Sequence, residues 1–169
     1  SLQVPIEAQA ALQREHSWKS TPYRELAKTR WVLVGYGNIG REIATRIKPF
    51  GVDLTVIRHS PGAADLADRT LALQDLPGVL PEADVVVLAP ALHDQTRGMC
   101  DDAFFKAIKP GSILINIGRG GLVDEDALKA GLDRDQPGHA VLDVFQTEPL
   151  PTDSWWWDHP KVRVSAHTS

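Results

Sequence analysis

Short apolar runs rich in β-branched residues recur along the chain and constrain its fold more than any other feature. Such runs are too short for a helix, and they are typical of strands buried on both faces of a parallel sheet. The runs occupy residues 31–34, 54–57, 84–88, 112–115, 139–142 and 162–164. We therefore predict six buried strands.

Segments with helical periodicity separate these runs. They cover residues 39–48, 73–80, 96–108 and 124–132. Asp124, which precedes two further acidic residues, suits the N-cap of the last segment. Alternating strands and helices predict the fold class α/β, as a doubly wound parallel sheet (a Rossmann fold) that binds its ligand beyond the carboxyl ends of the strands.

Length and composition favour one domain that binds a small molecule. The chain has 169 residues, of which 43% are hydrophobic, enough to form a single core. We predict an N-terminal arm or helix over residues 1–30, where polar residues predominate, and one cofactor-binding domain over residues 31–169. A net charge of -4 without a cluster of Lys and Arg argues against a nucleic-acid partner.

The sequence also argues against disulfides, metal sites and membrane spans. Cys100 is the only cysteine, and no group of cysteines and histidines has the spacing of a metal site. No apolar run approaches the ~20 residues that cross a bilayer, and the N-terminus lacks the pattern of a signal peptide. We therefore expect a cytoplasmic protein with no bound metal and no membrane partner.

A glycine-rich motif follows the first predicted strand and precedes the first predicted helix. Its sequence is Gly35-Tyr36-Gly37-Asn38-Ile39-Gly40. Gly35 permits a tight turn, Gly37 lets the backbone approach a pyrophosphate, and Gly40 lets the helix pack on the strand. The amides of Asn38 and Ile39 then face the anion. We predict a dinucleotide site here; the alternative is a glycine-rich turn that binds no ligand.

The end of the second predicted strand indicates which dinucleotide binds. NAD-binding folds usually place an acidic residue there, which accepts hydrogen bonds from the ribose. Here the positions are Arg58, His59 and Ser60, whereas Asp53 lies at the opposite end of the strand. Because a guanidinium suits a 2′-phosphate, we predict NADP (NADPH) as the cofactor rather than NAD. The alternative is that Arg58 is an ordinary solvated residue.

Three further stretches resemble the D-isomer-specific 2-hydroxyacid dehydrogenase family, including its glyoxylate/hydroxypyruvate reductases. They are INIGRGGLVD (residues 115–124), LDVFQTEPL (residues 142–150) and SAHT (residues 165–168). Residues 88–90 and 94–98 also match the family's segment around the adenine ribose and pyrophosphate. The resemblance runs from within the arm to the last residue. It implies an oxidoreductase that transfers a hydride between NAD(P)H and a small 2-oxo acid or D-2-hydroxy acid.

The resemblance implies a catalytic role for three residues. Arg119 would bind the substrate carboxylate, His167 would protonate the carbonyl oxygen as hydride arrives, and Glu148 would orient and charge His167. These residue types suit the reaction, because a guanidinium pairs with a planar carboxylate and a carboxylate favours a protonated imidazole. The alternatives are that Arg119 is a surface residue, Glu148 a turn residue and His167 one more exposed histidine.

The resemblance also implies cofactor contacts outside the glycine motif. Asp143 would hold the nicotinamide carboxamide. The other implied contacts are Pro90, Thr96, Gly118, Arg119 and His167. His93 stands where the family often has a small hydroxyl residue, and we assign it no role.

The family builds its substrate pocket with a second domain, which we expect to be absent from this chain. The fragment alone should then bind cofactor and turn over substrate poorly or not at all. The N-terminal arm and the family favour a homodimer formed through the cofactor domains. The alternative function is a nicotinamide-sensing, dimeric, corepressor-like interaction protein of the same superfamily.

Overall fold

The structure is a computed structural model that describes residues 6–59 and 64–169. Ser60, a predicted cofactor residue, therefore lies outside the described residues. Helices in the described part are α1 (Ile6–Arg14), α2 (Asn38–Ile47), α3 (Leu76–Val79), α4 (Asp102–Ala107) and α5 (Glu125–Asp133). Short 3-10 helices cover Lys48–Phe50, Leu73–Asp75, Leu80–Glu82 and Gly120–Leu122.

One parallel sheet lies at the centre of the described fold. Its strands are β1 (Arg30–Val34), β2 (Asp53–Ile57), β3 (Arg69–Leu71), β4 (Val85–Leu88), β5 (Ile113–Asn116), β6 (His139–Leu142) and β7 (Val162–Val164). They lie in the order β3-β2-β1-β4-β5-β6-β7, and every neighbouring pair is parallel. From β1 the chain adds strands towards one edge of the sheet as far as β3, and from β4 onwards it adds them towards the other edge. This strand order is that of a dinucleotide-binding sheet and confirms the predicted α/β class.

All six predicted strands are present, and the sequence analysis missed one more. β3 pairs in parallel with the end of β2, where Leu71 lies opposite Ile57. It is three residues long and begins with Arg69 and Thr70, so no apolar run marks it.

Two apolar cores, one on each face of the sheet, explain why the strands lack an alternating pattern. Val32 and Val34 belong to the core that includes Leu128 of α5. Leu33 between them belongs to the other core, which includes Ala44 of α2. Because both faces are covered, inward and outward positions are both apolar.

The predicted helix over residues 96–108 is wrong in its first half. α4 begins at Asp102, because the Asp101 side chain caps it by accepting a hydrogen bond from the Phe104 amide at 2.9 Å. The preceding residues form a turn in which the Thr96 hydroxyl bonds the backbone. The periodicity of the sequence does not distinguish this turn from the helix that follows it.

The other helix predictions have mixed outcomes. The helix after the glycine motif and the last predicted helix are confirmed to within one residue. Asp124 is the predicted N-cap of the last one, since its side chain accepts a hydrogen bond from the Ala127 amide at 3.0 Å. The segment over 73–80 instead contains short 3-10 and α-helical turns, because Pro77 and Pro81 interrupt a continuous helix.

Buried Asp84 ties the N-terminal arm to the amino edge of the sheet. Its carboxylate accepts hydrogen bonds from the Arg24 guanidinium at 2.7 Å, the Lys109 ammonium at 2.6 Å and the Arg30 amide at 2.8 Å. Burial raises the pKa of Asp84, but these hydrogen bonds outweigh burial, so the pKa lies below its ordinary value.

Within the described residues no helix is long and apolar enough to cross a membrane, and the cytoplasmic location stays a prediction.

Candidate active site and cofactor site

The glycine motif forms a tight turn between β1 and α2. Gly35 has a φ of +95°, and a Cβ there would lie 2.6 Å from the Ala89 carbonyl oxygen. A Cβ at Gly40 would lie 2.3 Å from the Gly35 carbonyl oxygen. Both positions therefore require glycine for the turn to close.

Gly37 differs from the other two glycines because it faces open space. A Cβ at Gly37 would meet no atom within 4 Å. Gly37 is the N-cap of α2, and within the described residues no side chain caps this helix and no acid lies in its first turn. The amides of Asn38 and Ile39 are therefore presented to an open surface, where they suit an anion. The turn thus fits the pyrophosphate of a dinucleotide.

Arg58 and His59 follow β2, at the edge where the adenosine ribose is expected. Arg58 is half-buried, and its amide donates a hydrogen bond to the Leu71 carbonyl oxygen at 3.0 Å. The exposed His59 ring lies against the His93 ring, with 6.3 Å between centroids and 84° between planes. This contact is not predicted by the sequence, whose only signal is that His93 departs from the family's usual hydroxyl residue.

The loop after β4 carries Pro90 and Thr96, both predicted to contact the cofactor. A Cβ at Gly35 would lie 2.7 Å from the Pro90 nitrogen, so this loop packs directly on the glycine turn. Thr96 is only 2% exposed, and its hydroxyl donates to the Ala91 carbonyl oxygen at 2.8 Å and accepts from the His93 amide at 2.9 Å. Thr96 therefore shapes the loop, and its contact with the cofactor stays a prediction.

Arg119 lies in the loop after β5, and Asn116 fixes this loop. The Asn116 side chain donates to the Arg119 carbonyl oxygen at 3.1 Å and accepts from the Gly118 amide at 3.1 Å. The Arg119 guanidinium donates to the Gly118 carbonyl oxygen at 2.7 Å. Asn116 is 1% exposed and was missed by the sequence analysis, because at the end of an apolar strand nothing distinguishes it.

Glu148 and His167 are in direct contact. His167 Nδ1 lies 2.7 Å from Glu148 Oε2, and Glu148 Oε1 accepts a hydrogen bond from the Phe145 amide at 2.8 Å. The Phe145 amide and then His167 hold the pKa of Glu148 below its ordinary value. Because Nδ1 faces the carboxylate, Nε2 of the same ring is left to face another group.

Backbone packing joins the arginine loop to the loop that carries Glu148. A Cβ at Gly120 would lie 2.0 Å from the carbonyl carbon and oxygen of Phe145. Glu125, at the start of α5, accepts hydrogen bonds from the Gln146 amide at 3.0 Å and from the Trp156 indole at 3.4 Å. The two loops are thus held at fixed positions relative to each other.

Asp143, directly after β6, holds the segment that carries His167. Its buried carboxylate accepts hydrogen bonds from the Ser165 hydroxyl at 2.5 Å, the Thr168 amide at 3.1 Å, and the amide and hydroxyl of Ser169 at 2.9 and 2.6 Å. Burial raises the pKa of Asp143, but these bonds outweigh it and hold the pKa far below its ordinary value. The contact of Asp143 with a nicotinamide carboxamide stays a prediction.

A cleft of about 930 Å³ lies between these loops. Arg119, Glu148 and His167 all line it, so the fold brings the three predicted catalytic residues together at the carboxyl edge of the sheet. Over residues 6–59 and 64–169, no group of three His, Cys, Asp or Glu side chains could hold a metal ion.

The sequence model of a family described as "D-isomer specific 2-hydroxyacid dehydrogenase, NAD binding domain" matches residues 3–169. The chain belongs to this family. The resemblance noted in the sequence is therefore confirmed, and the match is to the family's NAD-binding domain.

Individual family members are similar over most of the chain. It is 43% identical over 125 residues to the (S)-sulfolactate dehydrogenase of Chromohalobacter salexigens, covering 72% of this chain and 40% of the relative. A D-isomer specific 2-hydroxyacid dehydrogenase family protein from Aeromonas salmonicida has a crystal structure with a TM-score of 0.95 at 33% identity, covering 99% of this chain and 54% of that one.

A third similar protein comes from Sinorhizobium meliloti. Its crystal structure is described as that of an NADPH-dependent glyoxylate/hydroxypyruvate reductase in complex with NADP and sulfate. Its TM-score is 0.86 at 29% identity, and the match covers 96% of this chain and 52% of that one. The chain thus spans about half, or less, of the length of these relatives.

Proposed function

We propose that the chain supplies the cofactor site and the catalytic side chains of an enzyme that reduces a small 2-oxo acid with NADPH. The observation that carries this proposal is the 2.7 Å contact between His167 Nδ1 and Glu148 Oε2, in a cleft that Arg119 also lines. Reduction of a 2-oxo acid requires a guanidinium that binds its carboxylate and an oriented imidazole that donates a proton to its carbonyl oxygen. When bound, the nicotinamide supplies the hydride.

In this proposal Arg119 binds the substrate carboxylate. A guanidinium meets a planar carboxylate with two parallel hydrogen bonds, which fixes the angle at which the 2-oxo group lies in the cleft. The Asn116 side chain supports this role, since it bonds both sides of the turn from which Arg119 projects. The same positive charge stabilises the oxygen as it becomes negative.

His167 donates the proton in this proposal. Because its Nδ1 is bonded to Glu148, Nε2 is the atom that gives a proton to the carbonyl oxygen, and that accepts it in the reverse direction. Glu148 stabilises the charged imidazole. The Phe145 amide keeps Glu148 ionised, since it is the first cause of the lowered pKa of that carboxyl.

The preference for NADPH is supported by the end of β2. Arg58 and His59 stand there, and neither would repel a 2′-phosphate as the usual acid of NAD-binding folds does. The reductase from Sinorhizobium meliloti, at 29% identity, is described as NADPH-dependent and holds NADP.

We also propose a homodimer formed through the cofactor domains, with the N-terminal arm contributing to the interface. Trp18 is fully exposed and Tyr23 is 63% exposed. Trp18 and Leu12 border a groove of about 560 Å³ beside α1. Large aromatic side chains exposed on one segment are typical of an interaction surface.

Analytical ultracentrifugation tests the dimer. The measured mass should be about twice the 18.5 kDa of one chain, and Trp18→Ser should shift this mass towards that of the monomer. A monomeric unaltered chain would contradict the proposal.

Calorimetric titration with NADPH and with NADH tests the cofactor preference. We expect NADPH to bind at least ~10-fold more tightly, about 1.4 kcal/mol, and Arg58→Ala to remove the difference. Arg14→Ala, which removes an arginine of α1, is the matched control and should leave the ratio unchanged. NADH binding as tightly as NADPH would contradict the preference.

A protein that joins this chain to a substrate domain of the family tests the catalytic roles. NADPH oxidation by glyoxylate or hydroxypyruvate is the assay, and Arg119→Ala or His167→Ala should each lower kcat/KM at least ~100-fold. Arg134→Ala is the arginine control. Turnover that survives the loss of Arg119 would contradict the roles, and no turnover at all would favour an interaction protein that senses the nicotinamide cofactor. The chain alone should bind cofactor and reduce these acids slowly or not at all.

A further inference from the structure

Two histidines from different segments meet at the carboxyl end of β1. The parallel register places Val34, the last residue of β1, level with Ile57 of β2 and with Leu88 of β4. His59 lies shortly beyond Ile57, and His93 lies in the loop beyond Leu88. Their rings are 6.3 Å apart and nearly perpendicular. The contact therefore joins the two loops that border the glycine turn on either side.

Hydrogen bonds within its own loop fix the position of His93. The His93 amide donates to the Thr96 hydroxyl at 2.9 Å, and buried Thr96 donates in turn to the Ala91 carbonyl oxygen at 2.8 Å. The Gln95 amide donates to His93 Nδ1 at 3.3 Å. Because Nδ1 accepts a hydrogen bond, the ring proton is assigned to Nε2, which is therefore a donor.

Arg58 directly precedes His59 in the segment that follows β2. Its backbone is fixed by the bond from its amide to the Leu71 carbonyl oxygen. Both His59 and His93 are exposed, so a ligand can reach their rings. A phosphate monoester offers three oxygens that accept charge-assisted hydrogen bonds, and donors converging from two loops suit it.

We propose that His93 determines cofactor specificity, because with Arg58 and His59 it completes the site for the 2′-phosphate of NADPH. The proposal rests on the NADPH preference proposed above and adds to it a residue from the opposite side of the glycine turn. The loops after β2 and β4 then hold the adenosine end from both sides. NADH, which has no 2′-phosphate, gains nothing from the His93 donor.

Calorimetry with adenosine fragments isolates this contact. Adenosine 2′,5′-bisphosphate and 5′-AMP carry the adenosine end with and without the 2′-phosphate, and NADPH and NADH are titrated beside them. His93→Ala should weaken the bisphosphate and NADPH about tenfold, the loss expected for one charge-assisted hydrogen bond, and leave 5′-AMP and NADH within about twofold.

Three further variants sharpen the test. His93→Gln should retain most of the affinity, because its amide nitrogen can replace the Nε2 donor. His93→Ser, which brings back the hydroxyl type common in the family, should lose selectivity as Ala does. His16→Asn removes an exposed histidine of the arm and should leave the affinities for all four ligands unchanged. A thermal unfolding curve of each variant shows that it is folded.

The outcomes distinguish this proposal from the one on which it rests. Equal weakening of all four ligands by His93→Ala and His93→Ser would overturn the specificity role. Unchanged NADPH binding in these variants, with selectivity lost in Arg58→Ala, would also overturn it and leave the NADPH preference intact. An unaltered chain that binds NADH as tightly as NADPH would overturn both.

Discussion

The glycine turn and the segment that carries His167 are held in place by different forces. At the turn the constraint is steric, since Gly35 and Gly40 leave no space for a Cβ. At the other end of the site the constraint is polar, since the buried Asp143 carboxylate accepts four hydrogen bonds from residues 165–169. The proposed phosphate half of the site therefore depends on the absence of side chains at two glycines, and the proposed catalytic half depends on one buried charge.

The largest expected effect is a loss of stability at Gly40, a glycine that the motif requires for packing. In an exposed helix Gly→Ala stabilises by roughly 1 kcal/mol. At Gly40 the added Cβ would lie 2.3 Å from the Gly35 carbonyl oxygen, so we expect Gly40→Ala to lower the free energy of unfolding by at least ~3 kcal/mol in urea unfolding.

Gly37→Ala is the matched control, because a Cβ there meets nothing within 4 Å. Its effect on the free energy of unfolding should stay below ~1 kcal/mol. NADPH binding should still weaken, since the methyl group occupies the approach of the pyrophosphate. Equal destabilisation by Gly37→Ala and Gly40→Ala would contradict the steric account.

The polar constraint is tested by Asp143→Asn. The variant removes the charge and turns an amide NH₂ towards donors such as the Ser169 amide and hydroxyl. We expect the free energy of unfolding to fall by about 2 kcal/mol, the range for hydrogen bonds to a charged group. Asp153→Asn, at an exposed position, should have no measurable effect in the same urea titrations. A loss no larger than that of the control would show that the charge does not hold the segment.

The same contribution should depend on pH. In the folded chain the pKa of Asp143 is held far below its ordinary value, because its hydrogen bonds outweigh burial. Its stabilisation is complete above the ordinary carboxyl pKa of about 4 and is lost as the pH falls towards the folded-state value. The difference in unfolding free energy between the unaltered chain and Asp143→Asn should therefore stay constant from about pH 7 to about pH 5 and shrink below about pH 4. A difference that stays constant or grows below about pH 4 would contradict this sign.

The smallest expected effect concerns the contact of Glu148 with His167. Both side chains are partly exposed, at 34% and 47%, so we expect this contact to add little stability. Glu148→Gln keeps an oxygen for the Phe145 amide and should change the free energy of unfolding by less than ~1 kcal/mol. Glu148→Ala removes that acceptor too and should cost about 1 kcal/mol more. A large loss in Glu148→Gln would mean that the catalytic half depends on a second charge.

Sequence alone predicts those parts of the fold that depend on continuous apolar pattern. The six buried strands are apolar because both faces of the sheet are covered, so their runs are unambiguous. β3 was missed because an edge strand with Arg69 and Thr70 has no such run. The helix over 96–108 was extended too far because the bonds of the Thr96 hydroxyl, which turn the chain there, leave no mark on periodicity.

The site divides in the same way. The glycine turn was predictable because only glycine meets its steric demand, and the neighbourhood of Glu148 and His167 was predicted through the family resemblance. The role of Asn116 and the contact of His59 with His93 were not predicted. Both depend on side chains from segments that meet only after the sheet has formed, and such contacts have no local signature.

The order of the strands along the chain has a consequence for how the protein is made. Along the chain the glycine motif precedes strands β2 to β7, whereas His167 and the partners of Asp143 follow β7, which forms one edge of the sheet. Domains generally fold as units. The residues that hold the His167 ring beside Glu148 therefore come together only after β7 has emerged, long after the glycine motif has been synthesised.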